Sequence, residues 1–239
     1  MNQLRTERSC VILQPSYIPW RGVFDLIERA DVFVHYDTVT FDKGGWRHRN
    51  RIWGSNGAFW LTIPVTLGDG SLSTRLNDVL IDPHGAWRRK HLAAIKQSYS
   101  KMSNYAMVEE VLEPLRSLDS PRLTDLTVSL LERTARELQI STKFIRSSDV
   151  EHSGTRSEKL VDICRQVGAN HYISGPSARS YLEISAFEEA GIRVSFIDYS
   201  YSSYEGLVGG RESNVSIIDT IATFGLDWRE AIRGSRLVK

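Results

Sequence analysis

Cysteine is almost missing from this chain. Two occur in 239 residues, Cys10 and Cys164, far apart and without metal-ligand spacing, so neither a disulfide framework nor a zinc site is supported. Long apolar runs are missing too. No stretch approaches the roughly 18 consecutive apolar residues of a membrane span. The opening residues include Glu7 and lead into a short apolar run broken by Pro15, with no signal-peptide core. Net charge is also lacking: 30 Lys and Arg against 29 Asp and Glu leave +1. A whole-surface grip on nucleic acid is therefore not expected and DNA is not an expected partner, although a local basic patch is compatible with the balance. No G-x-G-x-x-G or G-x-x-x-x-G-K-[ST] loop occurs, and no His/Asp/Glu cluster has metal spacing. A protein of the reducing cytoplasm, not inserted in a membrane, is expected.

What is present suits one large folded domain with a substantial core: 41% of residues are hydrophobic and 25% charged. Cys10-Val11-Ile12-Leu13 is a short apolar run stopped by Gln14-Pro15-Ser16-Tyr17-Ile18-Pro19, which reads as a buried strand feeding a loop. Residues 21–30 place Val23, Phe24, Ile27 and Ala30 on one helical face, and 32–36 read as a second strand. That is the order and spacing of a βαβ unit, so a parallel sheet begins here. Ligands of such sheets sit beyond the carboxyl ends of the strands, here residues 14–20 and 37–46.

Further strands are expected at 58–65, 143–146, 171–173 and 191–198, with a loop over 66–84. Helices are expected over 85–100, 105–117, 181–190 and 213–224. Another starts at Ser120-Pro121, a cap followed by proline, with the stripe Leu123, Leu126, Leu130, Leu131, Ala135 and Leu138. Thr155-Arg156-Ser157-Glu158 has the form of a capping box, and the helix it opens ends at Gly168. The fold class is α/β: a largely parallel sheet flanked by helices, Rossmann-like or nucleotidylyl-transferase-like. It forms one domain over 1–239, with a mainly helical subregion at about 85–139.

The densest chemistry lies in Asp42-Lys43-Gly44-Gly45-Trp46-Arg47-His48-Arg49-Asn50-Arg51. From Lys43 to Arg51 there are four formal positive charges and no acid. Guanidinium groups fork onto phosphate or carboxylate oxygens, and paired glycines let backbone N–H groups approach an anion. If the stretch is extended, Arg47, Arg49 and Arg51 share a face. An anion site is preferred to a charge-protected edge strand because the stretch follows a strand end at Asp37.

The 14–20 loop, with Gln14, Ser16, Tyr17 and Trp20, has two prolines to stiffen it and two aromatics to face a sugar or base. Plugging the end of the sheet is an equal alternative. Ser174-Gly175-Pro176-Ser177, with Arg179 and a following helix N-terminus, suits a phosphate or carboxylate. His91 and Asp37 are candidate proton acceptors, although a surface helical histidine is the commoner reading of the former. Asp219 is an amine-orienting carboxylate or a plain macrodipole partner. His35, in an apolar strand, reads as a hydrogen-bonded core residue.

Several segments together carry a resemblance over nearly the whole chain. They are Ile12-Leu13-Gln14-Pro15-Ser16-Tyr17-Ile18-Pro19-Trp20 with Gly22, Phe24 and Asp25, then Ala30-Asp31-Val32-Phe33-Val34, Asp37 and Lys43. Trp46-Arg47-His48-Arg49-Asn50-Arg51-Ile52 and Trp60-Leu61-Thr62-Ile63-Pro64-Val65 continue it. Trp87-Arg88-Arg89-Lys90-His91, Arg146-Ser147-Ser148-Asp149, Ile173-Ser174-Gly175-Pro176-Ser177 and Ser216-Ile217-Ile218-Asp219 complete it. In these the chain resembles the WbqC-like family, which is associated with O-antigen and other surface-polysaccharide gene clusters and with a suggested glycine-transferase role.

The resemblance implies transfer of an aminoacyl (glycyl) or acyl group to the amine of a nucleotide-linked amino sugar. Lys43, Arg47, Arg49 and Arg51 would hold phosphates and stabilise an oxyanion. Asp37 or His91 would take the proton from the amine, and Tyr17 and Trp20 would stack on sugar or base. The donor stays open between ATP activation and an aminoacyl donor such as aminoacyl-tRNA. One departure is Tyr199-Ser200-Tyr201-Ser202-Ser203-Tyr204-Glu205-Gly206, where the family usually carries a Tyr-Pro-Gln type segment, so the acceptor can differ. A second likeness, to nucleotidylyl-transferase-like domains, lacks their His-x-Gly-His; Pro19-Trp20-Arg21-Gly22 stands there instead, which weighs against ATP. The alternatives are an ATP-dependent nucleotidyltransferase or ligase on another small acid, and a non-catalytic nucleotide-sugar-binding protein.

Overall fold

The computed structural model describes residues 7–67, 73–201, 204, 210–212 and 214–239. Residues 1–6, the 68–72 part of the expected loop, Ser202, Ser203, Glu205 and Gly206 of the divergent segment, and the expected helix start at Ser213 lie outside the described residues. The strands are β1 (Ser9–Leu13), β2 (Val32–His35), β3 (Arg49–Gly54), β4 (Gly57–Thr62), β5 (Val65–Thr66), β6 (Leu80–Ile81), β7 (Lys143–Arg146), β8 (His171–Ser174), β9 (Arg193–Asp198) and β10 (Arg236–Val238). The helices are α1 (Arg21–Glu28), α2 (Trp87–Tyr99), α3 (Tyr105–Val111), α4 (Glu113–Ser117), α5 (Leu123–Glu137), α6 (Arg156–Gln166), α7 (Ile184–Glu189) and α8 (Ile217–Phe224).

Six strands form the main sheet in the order β10-β9-β8-β1-β2-β7. All neighbours are parallel except β10, which runs antiparallel to β9. The fold class is α/β, as the strand–helix alternation of the sequence implies. From β1 the chain moves outward through β2 to β7, then returns to the other side of β1 as β8 and continues to β9. The winding direction therefore reverses between β1 and β8. Loops leaving those two strands must part there, which opens a crevice at their carboxyl ends.

Strand alternation sends Val11, Phe33, Ile173 and Ile197 to one face, where they meet Phe24 and Ile27 of α1, Leu126 and Leu130 of α5, Ile217 and Ile221 of α8, and Trp228. Cys10, Ile12, Val32, Val34, Tyr172 and Phe196 take the other face, against Val161 and Cys164 of α6 and Phe187 of α7. Both faces are covered, which is why these strands read as continuous apolar runs. His35 is fully buried and bonds Glu132 through Nε2 at 3.1 Å.

Thr155 and Glu158 form the capping box of α6, and Gly168 beyond its end has φ +72°. Other boundaries differ from the sequence reading. Helix α5 begins at Leu123, not at Ser120-Pro121. The Pro121 carbonyl accepts from Ile81 N at 2.7 Å and Arg122 bridges to Leu80, so pairing with β6 keeps the backbone extended for two more residues. The expected 105–117 helix is two, α3 and α4, with Pro114 in the first turn of the second. The 58–65 strand stops at Thr62 and belongs to an antiparallel hairpin, β3–β4, outside the main sheet. Helix α7 covers only Ile184–Glu189.

Candidate functional site

The loop after β1 is built under strain and held by buried hydrogen bonds. Ile18 has φ +36°, a conformation that costs a branched residue about 1–3 kcal/mol. Asn50, 2% exposed, secures it: Nδ2 donates to the carbonyls of Tyr17 (3.1 Å) and Ile18 (2.9 Å). Tyr17 N donates to the Trp46 carbonyl at 3.3 Å, and Ile217 N at the start of α8 donates to the Pro19 carbonyl at 2.8 Å. Loop 14–20, the basic stretch and the last helix therefore converge at one place.

That place is a pocket of about 470 Å³ over the carboxyl ends of β1, β8 and β9. Ser16, Pro19 and Trp20 line it from the first loop, Trp46, Arg47 and Asn50 from the basic stretch, and Gly175, Pro176 and Ser177 from the loop after β8. Tyr199 after β9 and Asn214 complete its polar and aromatic wall, and Leu13, Val23 and Leu26 give it an apolar floor. The Trp20 ring meets Tyr199 edge-on at 5.0 Å. It lies so close to α1 that a Cβ on Gly22 would come within 2.3 Å of it, so only glycine leaves the ring room.

Arg47 is the charge in this pocket. Its Nη1 donates to Ser16 Oγ at 2.6 Å and to the Gln14 carbonyl at 3.2 Å. Burial pushes the guanidinium down to about 10, against an opposing pull from Asp42. Its buried Nε has no hydrogen-bond partner among the described residues. A buried N–H left unpaired costs about 1–3 kcal/mol; Arg47 itself lines the pocket, where its charge attracts an anion.

The structure gathers Ser16, Trp20, Trp46, Arg47, Asn50, Gly175 and Ser177 around one cavity. Gln14 contributes its carbonyl to Arg47. Ser174 is buried just below, bonded to Tyr172.

Other expected site residues lie elsewhere. The four cations do not converge on one guest. Lys43 is exposed, and Arg49 and Arg51 stand on the outer face of the hairpin, their guanidinium carbons 4.6 and 5.8 Å from the Trp60 ring centre. Arg51 is paired with Glu212 at 3.0 Å. Arg47 precedes β3 and so escapes its alternation. The amides of Gly44 and Gly45 are taken by Asp42, through Oδ1 at 2.9 Å and its carbonyl at 3.1 Å, which leaves no glycine cradle for an anion.

Tyr17 is fully buried, its hydroxyl 2.9 Å from His91 Nδ1, so its ring offers no face to a sugar. His91 also hydrogen-bonds the Thr62 backbone, and burial lowers its imidazole to about 4. It is not a surface histidine. Asp37 is fully buried and its carboxylate accepts from Ser147 Oγ, Ser148 N and Ser148 Oγ at 2.8, 3.0 and 2.8 Å. It ties the ends of β2 and β7 together. Neither proton-acceptor candidate reaches the pocket wall. Asp219, in the first turn of α8, is buried and accepts from Tyr204 OH (2.6 Å) and Arg211 (3.0 Å). Arg179 turns away to the Lys239 carbonyl.

Asn214 was not among the expected site residues, and Tyr199 was expected only as part of the divergent 199–206 segment. Tyr199 follows a strand end, a signal the sequence offered; nothing local pointed to Asn214, which arrives with the last helix. Among the described residues no group of three or more His, Cys, Asp or Glu side chains is placed to hold a metal, and no helix is long and apolar enough to cross a membrane.

A doubly wound α/β protein with a cationic, aromatic-walled crevice at the switch point of its sheet is the class these features define. More narrowly, the chain belongs to the WbqC-like protein family, whose model matches residues 14–230. It is 37% identical over 231 residues to the uncharacterized protein Rv1507c of Mycobacterium tuberculosis, covering 96% of this chain and 99% of that one. No solved structure matches.

Proposed function

We propose that the protein transfers an aminoacyl, in particular glycyl, or acyl group to the amine of a nucleotide-linked amino sugar used for surface polysaccharide. The observation that carries this is the Arg47 guanidinium, the one charged group among the described residues lining a pocket walled by Trp20 and Tyr199. A fixed cation suits a phosphate or a developing oxyanion, and aromatic walls suit a sugar ring.

The amine attacks the activated carboxyl carbon, a C–N bond forms, and the bond to the donor's leaving group breaks. The proton lost from nitrogen goes to solvent or to the leaving group. No carboxylate or imidazole lines the pocket among the described residues, so this pathway relies on an amine already unprotonated. Amines of the α-amino type titrate near about 8 and supply that form near neutrality. The donor is an aminoacyl ester or an acid activated by ATP.

The test is to incubate the protein with nucleotide-linked amino sugars and either glycyl-tRNA or glycine plus ATP, and to follow acceptor mass. A glycyl adduct is expected with one donor. Its absence across the panel with both donors refutes the reading. The bare pocket wall also favours a second reading, a non-catalytic nucleotide-sugar carrier. In that case ligand raises the melting temperature by mass action without turnover.

A further inference from the structure

The outer face of the β3–β4 hairpin carries chemistry that the pocket does not use. Trp46 and Trp60 are 43% and 45% exposed, with ring centres 5.1 Å apart and planes inclined by 34°. The cross-strand register puts Arg51 opposite Trp60, and the Arg49 guanidinium lies over the same ring. Ile52 and Leu61, on the other face, are buried and anchor the hairpin. The two tryptophans are therefore not needed to fill the core. Trp46 also lines the pocket, so this aromatic surface is continuous with the pocket mouth. Among the described residues no carboxylate lies within ion-pair distance of Lys43, Arg47 or Arg49.

We infer that Trp46 and Trp60 form a stacking platform for the base of a nucleoside diphosphate, whose phosphates run past Arg49 to Arg47 and whose remaining substituent enters the pocket. This rests on the nucleotide-linked acceptor proposed above. It adds where the base binds and assigns Trp60 to recognition. Every nucleobase offers a π-face, and stacking on an exposed indole beside guanidinium groups suits base and phosphate together. The net charge of only +1 and the few unpaired cations fit a ligand with two phosphates better than a polynucleotide. A symmetric contact between two copies is disfavoured because it would set Lys43 and Arg49 of each against those of the other.

The test measures binding of UDP, ADP and inorganic pyrophosphate by tryptophan fluorescence and calorimetry, in the native protein, Trp60→Ala and Trp60→Phe. The expected result is that the nucleotides bind more tightly than pyrophosphate. Trp60→Ala lowers nucleotide affinity about tenfold, within the range of one stacked base, and leaves pyrophosphate affinity unchanged. Trp60→Phe restores most of the loss. Equal affinity of UDP, ADP and pyrophosphate, or an unchanged UDP affinity in Trp60→Ala with intact circular dichroism, overturns the inference. So does a single-stranded RNA that binds more tightly than UDP with steep salt dependence, or a dimer that Trp60→Ala dissociates. UDP stacking without glycyl transfer removes the transferase and keeps the platform. Transfer to a nucleotide-linked sugar at undiminished affinity in Trp60→Ala does the reverse.

Discussion

Replacing Arg47 by methionine separates binding from folding. The native guanidinium gains two charge-assisted hydrogen bonds, to Ser16 Oγ and the Gln14 carbonyl, about 1.5–3 kcal/mol each. Against them stands burial. A depression from 12.5 to about 10 corresponds to roughly 3 kcal/mol disfavouring the charge, and the orphaned Nε adds about 1–3 kcal/mol. The two sides offset to within a few kcal/mol.

Methionine keeps the apolar stem and removes both sides of that balance. Ser16 Oγ still has the Gln14 carbonyl, at 3.4 Å. We expect Arg47→Met to change stability by no more than about 2 kcal/mol, a shift of roughly 4–8 °C for a domain of this size. Anion binding behaves differently, because a desolvated charge pair is worth about 2–5 kcal/mol when one partner is removed. Affinity for pyrophosphate or UDP should therefore fall about 30-fold or more, with a weaker salt dependence. Thermal denaturation and calorimetric titration at low and high salt measure both quantities. A melting temperature lowered by more than about 8 °C, with anion affinity unchanged, would show that Arg47 is a structural pin for the 14–20 loop and refute the reasoning.

Asn50→Ala should act in the opposite sense. It strips two buried carbonyls of their donor and leaves Ile18 strained, so a loss of about 2–4 kcal/mol in urea unfolding is expected, and a loss under 0.5 kcal/mol contradicts it. His91, lowered to about 4 from 6.5, makes stability depend on pH. The unfolded chain binds the extra proton between those values, so stability present above pH 6.5 drains away as pH falls toward 4. The contribution lost is about 2 kcal/mol at pH 5, and His91→Gln should flatten the slope between pH 5 and 7; an unaltered slope assigns it to other groups. Gly22→Ala should displace the Trp20 ring, changing the fluorescence spectrum and weakening ligand binding. An unchanged spectrum and affinity would mean that the ring has room the geometry does not show.

Local chemistry made much of this protein legible. The strand–loop–helix–strand start and the Thr155–Glu158 capping box depend on neighbours a few residues apart, so the pattern of the chain reveals them. The placement of loop 14–20 and the Gly175-Pro176-Ser177 loop at one crevice followed from a general rule about strand ends. Other expectations failed because burial is a property of the assembly. Tyr17, His91 and Asp37 have the functional groups of a catalytic site, yet helix α2 and the β7 end cover them.

The chain order of residues thus determined the α/β class, the strand-end loops and the concentration of cations between Lys43 and Arg51. Only tertiary structure decided which cation turns inward. Arg47 follows an oxygen 31 positions away on Ser16, while Arg49 and Arg51 obey the pleat of their strand and face Trp60. Side-chain direction there depends on which distant carbonyl or hydroxyl is within hydrogen-bond reach, and no periodicity along the chain encodes that distance.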